Sequence, residues 1–315
     1  MNAQVRFLFI DILKGIAILL IVYGHLIPGL LPCFAEYVST FNIHVFFFVS
    51  GLLYNNDKYK NKFNIFLKGR LKGLIVPYIF LSIIVLFGYF YVEEPFLNFV
   101  NHCVFYGWGG YALWFIPVLF LVELLYYIIS KLELKWIIIS LVFSVLFSYV
   151  SSRMFGYVNY NILLVFCGVF YYGIGNISRR LITFWSTMRF SQMVLLSLLG
   201  LSLSLPYVYS NNSIMPEWFI NSIPSLLNYF TPLGAILMLI QISLFIEKQG
   251  RCFLVEILSI CGKYSLIILA FHQIVCVLFQ SFLPSKIAIL STAIVLIVLV
   301  ISIPRYFPWL IGKNK

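Results

Sequence analysis

Charge is what this sequence has least of. Of its 315 residues only 10% are Asp, Glu, Lys or Arg, against 62% hydrophobic and 19% aromatic. A soluble globular domain is nearer a quarter charged. A chain of this length cannot cover itself with a water-facing surface from so few charges, so its main solvent is expected to be lipid. Acids are scarcer than bases, 10 against 21. In a soluble chain that excess points to nucleic acid. Here the cations fall between long apolar runs and read as membrane topology, so no nucleic acid partner is expected. The six cysteines, Cys33, Cys103, Cys167, Cys252, Cys261 and Cys276, form no Cys-x-x-Cys pair, which removes the usual ground for metal or redox chemistry. No metal is expected. There is no internal repeat, no low-complexity linker and no strong serine-nucleophile motif. No cleavable leader is evident, and the first apolar stretch is long enough to read as a helix in its own right.

What the sequence does have is a succession of apolar runs. A membrane-spanning helix needs roughly 20 mostly apolar residues. Such runs occupy 10–31, 41–55, 74–92, 111–130, 135–151, 158–177, 190–209, 225–246, 264–283 and 286–304. The second is short for a span and is expected to be tilted or lengthened by its flanks; the fifth and tenth are also short. The expected fold is all-α, a polytopic bundle of about ten transmembrane helices forming one integral membrane domain over 1–315. Cytoplasmic loops collect Lys and Arg. With both termini placed in the cytoplasm and the ten spans alternating, every one of the 21 basic residues except Arg153 and Lys286 falls inside. A miscounted span near the middle of the chain would destroy that asymmetry. A cell membrane is the expected location, and the abundance of Ile, Phe, Lys and Asn fits an AT-rich bacterial genome.

Ionisable groups within the bilayer are costly and are functional candidates by default. The set is Asp11, Lys14, His25, His44, Glu123 and His272. Lys14 and His25 are eleven residues apart, about three helical turns and about 16 Å along the axis, so they share one face. Asp11 lies three residues before Lys14 and can pair with it there. An acid and a base at the cytoplasmic edge, with an imidazole deeper on the same stripe, suit proton transfer near neutral pH. The plainer alternative has Lys14 snorkelling to the headgroups and His25 bonded to a neighbouring helix. Glu123 lies mid-helix with no charge at i±3 or i±4; it is either a hydrogen-bonded carboxyl or a partner for Lys14 or Arg70. His272 falls near the midplane, as a packing residue or as part of a site. His44 opens the second run near the outer face and can join His25 there. The loop between 56 and 72 carries Lys58, Lys60, Lys62, Lys68, Arg70 and Lys72. It reads as a topology anchor on anionic headgroups or as a surface for a phosphorylated ligand.

The segment "RFLFIDILKGIAILLIVYGHLIPG", with Lys14, ten residues, then His25, resembles the first helix of the membrane acyltransferase-3 family. Four further segments match in order: "FFFVSGLLY" at 46–54, "FLKGRLKGLIVPY" at 66–78, "ALWFIPVLF" at 112–120 and "GKYSLIILAFHQ" at 262–273. Compact members that O-acetylate polysaccharides or fucose, without an added extracytoplasmic domain, look most similar. Two features depart from the family pattern. Members often have a His and a Pro just before the aromatic run of the second helix, whereas here Asn42 and His44 stand in altered places, and Gly73 occupies a position that often holds a second Arg. Lysines beside it cannot copy a bidentate arginine.

The resemblance implies an O-acyltransferase that takes an acyl group, usually acetyl, from acyl-coenzyme A in the cytoplasm. The acceptor it implies is a hydroxyl of a surface glycan or its lipid-linked precursor. It implies His25 as base, Lys14 as its charge partner, and Lys68, Arg70 and Lys72 as donor-phosphate ligands. It also raises Trp114 and His272 as site residues. The rival reading is a transporter or flippase for a lipid-linked saccharide, which intramembrane histidines also suit. Paired repeats with broken helices are the mark of many transporters, and none is visible in the sequence.

Overall fold

The computed structural model describes residues 7–92, 111–155, 160–205 and 230–311. Helices account for nearly all of them, and no strand occurs among the described residues. Seven described helices are long and apolar enough to cross a membrane. An eighth is added if the helices on either side of Tyr264 count as one broken span. The chain is therefore a polytopic helical membrane protein. The far ends of the expected spans 190–209 and 225–246, the start of 158–177, and Arg6, Cys103, Lys313 and Lys315 lie outside the described residues.

The backbone divides into two compact units. The first comprises 1–54 and 132–263, the second 55–131 and 264–315. The first holds α1 (Leu8–Leu26), α2 (Pro32–Leu53), α6 (Leu134–Phe155), α7 (Tyr160–Ser178), α8 (Phe190–Ser204), α9 (Thr231–Lys248) and α10 (Phe253–Lys263). The second holds α3 (Phe63–Arg70), α4 (Val76–Val92), α5 (Phe115–Ile129), α11 (Ser265–Gln280) and α12 (Ser285–Tyr306).

In the first unit α1 packs on α2, α9 and α10, α2 on α7 and α9, α7 on α6, and α8 on α9. Three of these contacts need glycine because backbone meets backbone, that of α8 with α9 at Gly200 and Gly234 among them. A Cβ on Gly15 would collide with the carbonyl of Leu258, and one on Gly262 with that of Asp11, so α1 and α10 cross on a reciprocal glycine contact. Gly51 and Gly175 do the same for α2 and α7, against the carbonyls of Tyr172 and Phe48. Small residues at such crossings are how membrane helices gain van der Waals contact, since lipid gives apolar side chains no reason to associate.

The helix ends of this unit cap one another. The Phe9 N–H at the start of α1 donates to Glu247 Oε1 at the end of α9, 3.1 Å away. The Tyr54 carbonyl, just past α2, accepts from Asn176 Nδ2 at 3.1 Å and from Arg179 Nη1 at 2.5 Å, and Asn176 also reaches the Gly51 carbonyl at 3.3 Å. Lys248 donates to the Met188 carbonyl ahead of α8. Orphan amides and carbonyls at helix termini need such partners where water is scarce. Arg179 and Lys248, assigned from sequence only as topology markers, also close helix ends.

The second helix is longer than its apolar run. It begins at Pro32, in the first helical turn where a missing N–H costs nothing, and runs for 22 residues. Glu36, Ser39, Thr40 and Asn42 dilute its first half and hid that half from a hydropathy reading. Its N-terminal flank supplies the expected lengthening. One consequence corrects an expectation. His44 is twelve residues into α2, about 18 Å from its start, not at its outer end. The break at Tyr264 was likewise not visible in the sequence.

In the second unit α11 packs on α12, on α4 and on the Tyr111–Trp114 turn that leads into α5. Between α3 and α4 the backbone widens into a π turn over Leu71–Ile75, where the Val76 N–H reaches back to the Leu71 carbonyl. Pro77 follows at once. A proline has no N–H and its ring crowds the carbonyl four residues earlier; a widened turn relieves both. The π turn packs against α5.

Candidate active site

The stripe expected on α1 exists, and from Asp11 to Ile21 it faces protein. Asp11, Lys14, Ile18, Ile21 and His25 recur at three- and four-residue spacing along one side of the helix. Ile18 is 0% and Ile21 5% exposed, and Asp11 is buried. Leu8 and Leu19, the exposed large apolar residues of α1, point about 100° away at 100° per residue. Lys14 Nζ lies 3.3 Å from Asp11 Oδ1. An ammonium and a carboxylate in contact are far easier to bury than either alone. The Asp11 carbonyl is the group that Gly262 approaches, and Gly15 follows Lys14, so the α1–α10 crossing fixes the backbone that carries this pair. At the other end of the stripe His25 stands in the last turn of α1 and is exposed.

The His44 ring packs against Tyr171 of α7, centroids 4.4 Å apart, and its Nε2 lies 3.8 Å from Cys167 Sγ.

In the second unit Arg70 meets Glu123. Arg70 Nε is 3.1 Å from Glu123 Oε2, with the Glu123 side chain 3% exposed and that of Arg70 25%. Of the two cations considered for Glu123, Arg70 is its ion-pair partner. The guanidinium also lies over the rings of Tyr59 and Phe66, 5.6 and 5.5 Å from their centroids. Phe66 stacks on Tyr127 at 4.8 Å, and Phe63 sits 5.3 Å from the same ring. Lys58 lies over Tyr59 and Lys131 over Tyr127. Cations therefore ring an aromatic cluster at the foot of α3 and the end of α5. Lys68 and Lys72 flank Arg70 in sequence and are exposed. Three cations within five residues, two exposed and one held by a buried carboxylate, have the chemistry to hold an anion. The aromatic residues and Lys131 were not singled out from the sequence; the contacts of Phe63 and Phe66 with Tyr127 join parts of the chain far apart in number.

Trp114 is the residue that precedes α5, in a turn whose first residue, Tyr111, has a positive φ of 47°. Such a backbone is uncommon for an aromatic residue. His272 is fully buried, its Nδ1 2.9 Å from the Ile268 carbonyl and 3.0 Å from the Leu269 carbonyl of its own helix. A ring nitrogen facing two carbonyls carries the proton, so His272 donates from Nδ1. Among the described residues no cluster of His, Cys, Asp and Glu has the makings of a metal site.

A family model described as an acyltransferase domain matches residues 7–306, nearly the whole chain. No match was found among curated proteins or among solved structures.

Proposed function

Because this chain belongs to the membrane acyltransferase-3 family and is a membrane acyltransferase, we propose that it is an O-acyltransferase that carries an acyl group, acetyl by preference, from coenzyme A to a glycan hydroxyl. The donor comes from the cytoplasm. The acceptor is a surface polysaccharide or its lipid-linked precursor in a bacterial cell membrane. The observation that carries the reading is the stripe on α1, with an ion-paired lysine at one end, buried Ile18 and Ile21 between, and an exposed imidazole on the same side at the other end.

The division of labour follows from the chemistry of each group. His25 takes the proton from the acceptor hydroxyl as its oxygen attacks the thioester carbonyl. The new C–O ester bond forms, the C–S bond breaks, and the coenzyme leaves as a thiolate that recovers the proton from the imidazolium. No enzyme nucleophile is required. Lys14, held by Asp11, supplies positive charge along the path of the anionic donor. Arg70, Lys68 and Lys72 bind its phosphates, Arg70 through the planar fork of the guanidinium.

The test is transfer of label from acetyl-coenzyme A to glycan in membranes containing the protein. His25→Ala removes transfer while the protein remains in the membrane at wild-type level. Full activity of that variant takes His25 out of the mechanism, and movement of unmodified glycan across the membrane without acylation makes the protein a transporter instead.

A further inference from the structure

Glu123 has no role in the reaction as written, yet its carboxylate is the most deeply buried of the described ion-paired acids and it faces the arginine assigned to the donor. A buried carboxylate beside an anion-binding arginine presents a puzzle of sign. Its negative charge opposes the phosphate the arginine is meant to attract, and a site built for attraction alone would leave it out. The geometry supplies a reason to keep it. We propose that Glu123 is a positioning residue. It holds Arg70 from the Nε side so that the guanidinium, packed on the faces of Tyr59 and Phe66, meets the donor phosphate in one fixed orientation. This rests on the reading of Arg70 as a donor ligand.

Three observations converge on it. Arg70 Nε and Glu123 Oε2 form an ion pair at 3.1 Å, and the buried carboxylate fixes where the rigid, planar guanidinium sits. The rings of Tyr59 and Phe66 lie within 6 Å of its central carbon, in the range of cation–π contact, and restrict the plane further. The π turn that begins one residue after Arg70 packs against α5, the helix that carries Glu123, so the backbone of the cation and that of its anchor are joined directly. A free arginine loses rotamer entropy when it is ordered; a side chain already fixed on two sides has less to lose when the phosphate arrives.

The experiment compares Glu123→Gln with Glu123→Ala in the full-length protein, in detergent and in liposomes. It measures binding of coenzyme A, KM for acetyl-coenzyme A, kcat, and thermal unfolding. If Glu123 positions Arg70, glutamine keeps an oxygen facing Nε and coenzyme affinity stays within about threefold of wild type. Alanine releases the guanidinium and weakens coenzyme binding about tenfold or more, mainly in KM, with kcat and KM for the glycan little changed. In an Arg70→Lys background, where there is no fork to orient, Glu123→Ala has no further effect on coenzyme affinity. If the carboxylate acts only by charge, both variants bind coenzyme A more tightly than wild type, and that overturns the proposal. Equal loss of unfolding temperature and of kcat in both variants, without a selective change in donor KM, makes Glu123 a structural residue and overturns it as well. Should wild type itself fail to bind coenzyme A, the donor reading fails first, and the two failures are distinguishable.

Discussion

Adding one methyl group to α1 at two different glycines should have opposite consequences. Gly15 and Gly24 lie on the same helix, so alanine at either gains the same helix propensity, about 0.5–1 kcal/mol. At Gly24 a Cβ would meet nothing within 4 Å, and the substitution is expected to be neutral or mildly stabilising. At Gly15 the Cβ would sit on the backbone carbonyl of Leu258. A backbone atom cannot swing aside as a flexible side chain can, so α1 and α10 must separate. Overpacking of this kind costs typically about 1–3 kcal/mol. The propensity gain cancels in the comparison, and the difference between the two variants isolates the clash. At 1.4 kcal/mol per factor of ten, Gly15→Ala should shift the folding equilibrium roughly 5- to 150-fold relative to Gly24→Ala. Thermal unfolding of both proteins in one detergent reads this directly. Gly262→Ala meets the Asp11 carbonyl from the other side of the same contact, so the double variant should cost less than the sum of the single ones, since the first substitution has already parted the helices. Equal unfolding temperatures for Gly15→Ala and Gly24→Ala would refute the α1–α10 contact, and with it the account of what holds Lys14 in place.

Other outcomes follow from the same geometry. Asn176→Leu removes an amide from the Gly51 and Tyr54 carbonyls and should lower stability by about 1–3 kcal/mol, read as a fall in unfolding temperature; Arg179→Ala should add to it less than additively because the two share the Tyr54 carbonyl. Lys14→Met leaves Asp11 a buried carboxylate without its ammonium and should reduce acyl transfer more than tenfold, while Lys14→Met with Asp11→Asn should recover stability but not activity. Arg70→Lys should raise KM for the acyl donor with little change in KM for the glycan, because a point charge cannot reproduce a planar fork. Substituting Cys167 with Ser should change neither donor nor acceptor kinetics appreciably, since its contact is with His44 and not with the α1 stripe.

How much of this could be read in the sequence depends on the range of the interaction. Apolar runs long enough to span a bilayer are a local property, and the helices found at Leu8–Leu26, Thr231–Lys248 and Ser285–Tyr306 stand close to where hydropathy put them. The Asp11–Lys14 pair is one turn of one helix and was equally legible. Local signals also mislead where polar residues sit on a buried helix. Glu36, Ser39, Thr40 and Asn42 shortened α2 by nine residues, from Pro32 to Phe41, and that error carried His44 to the wrong depth. Helix α10 was passed over because Glu256 and Lys263 interrupt its apolar run, although one of its faces, with Val255, Leu258 and Gly262, is buried. The Arg70–Glu123 pair joins residues 53 positions apart; the sequence offered Arg70 as one of two candidate partners, and only the packing of the π turn on α5 chose between them. The stacking of Phe66 on Tyr127 and the capping of α1 by Glu247 come from longer separations still and left no local trace.

In the proposed reaction the His25 imidazole moves a proton while an acyl group passes from coenzyme A to a glycan hydroxyl. Labelled acetyl-coenzyme A is followed with purified protein in liposomes, a glycan acceptor, and wild type beside His25→Ala at matched protein levels. Wild type is expected to give label in ester linkage on the glycan and free coenzyme A in equal amount, and His25→Ala neither product. Undiminished glycan labelling by His25→Ala would contradict it.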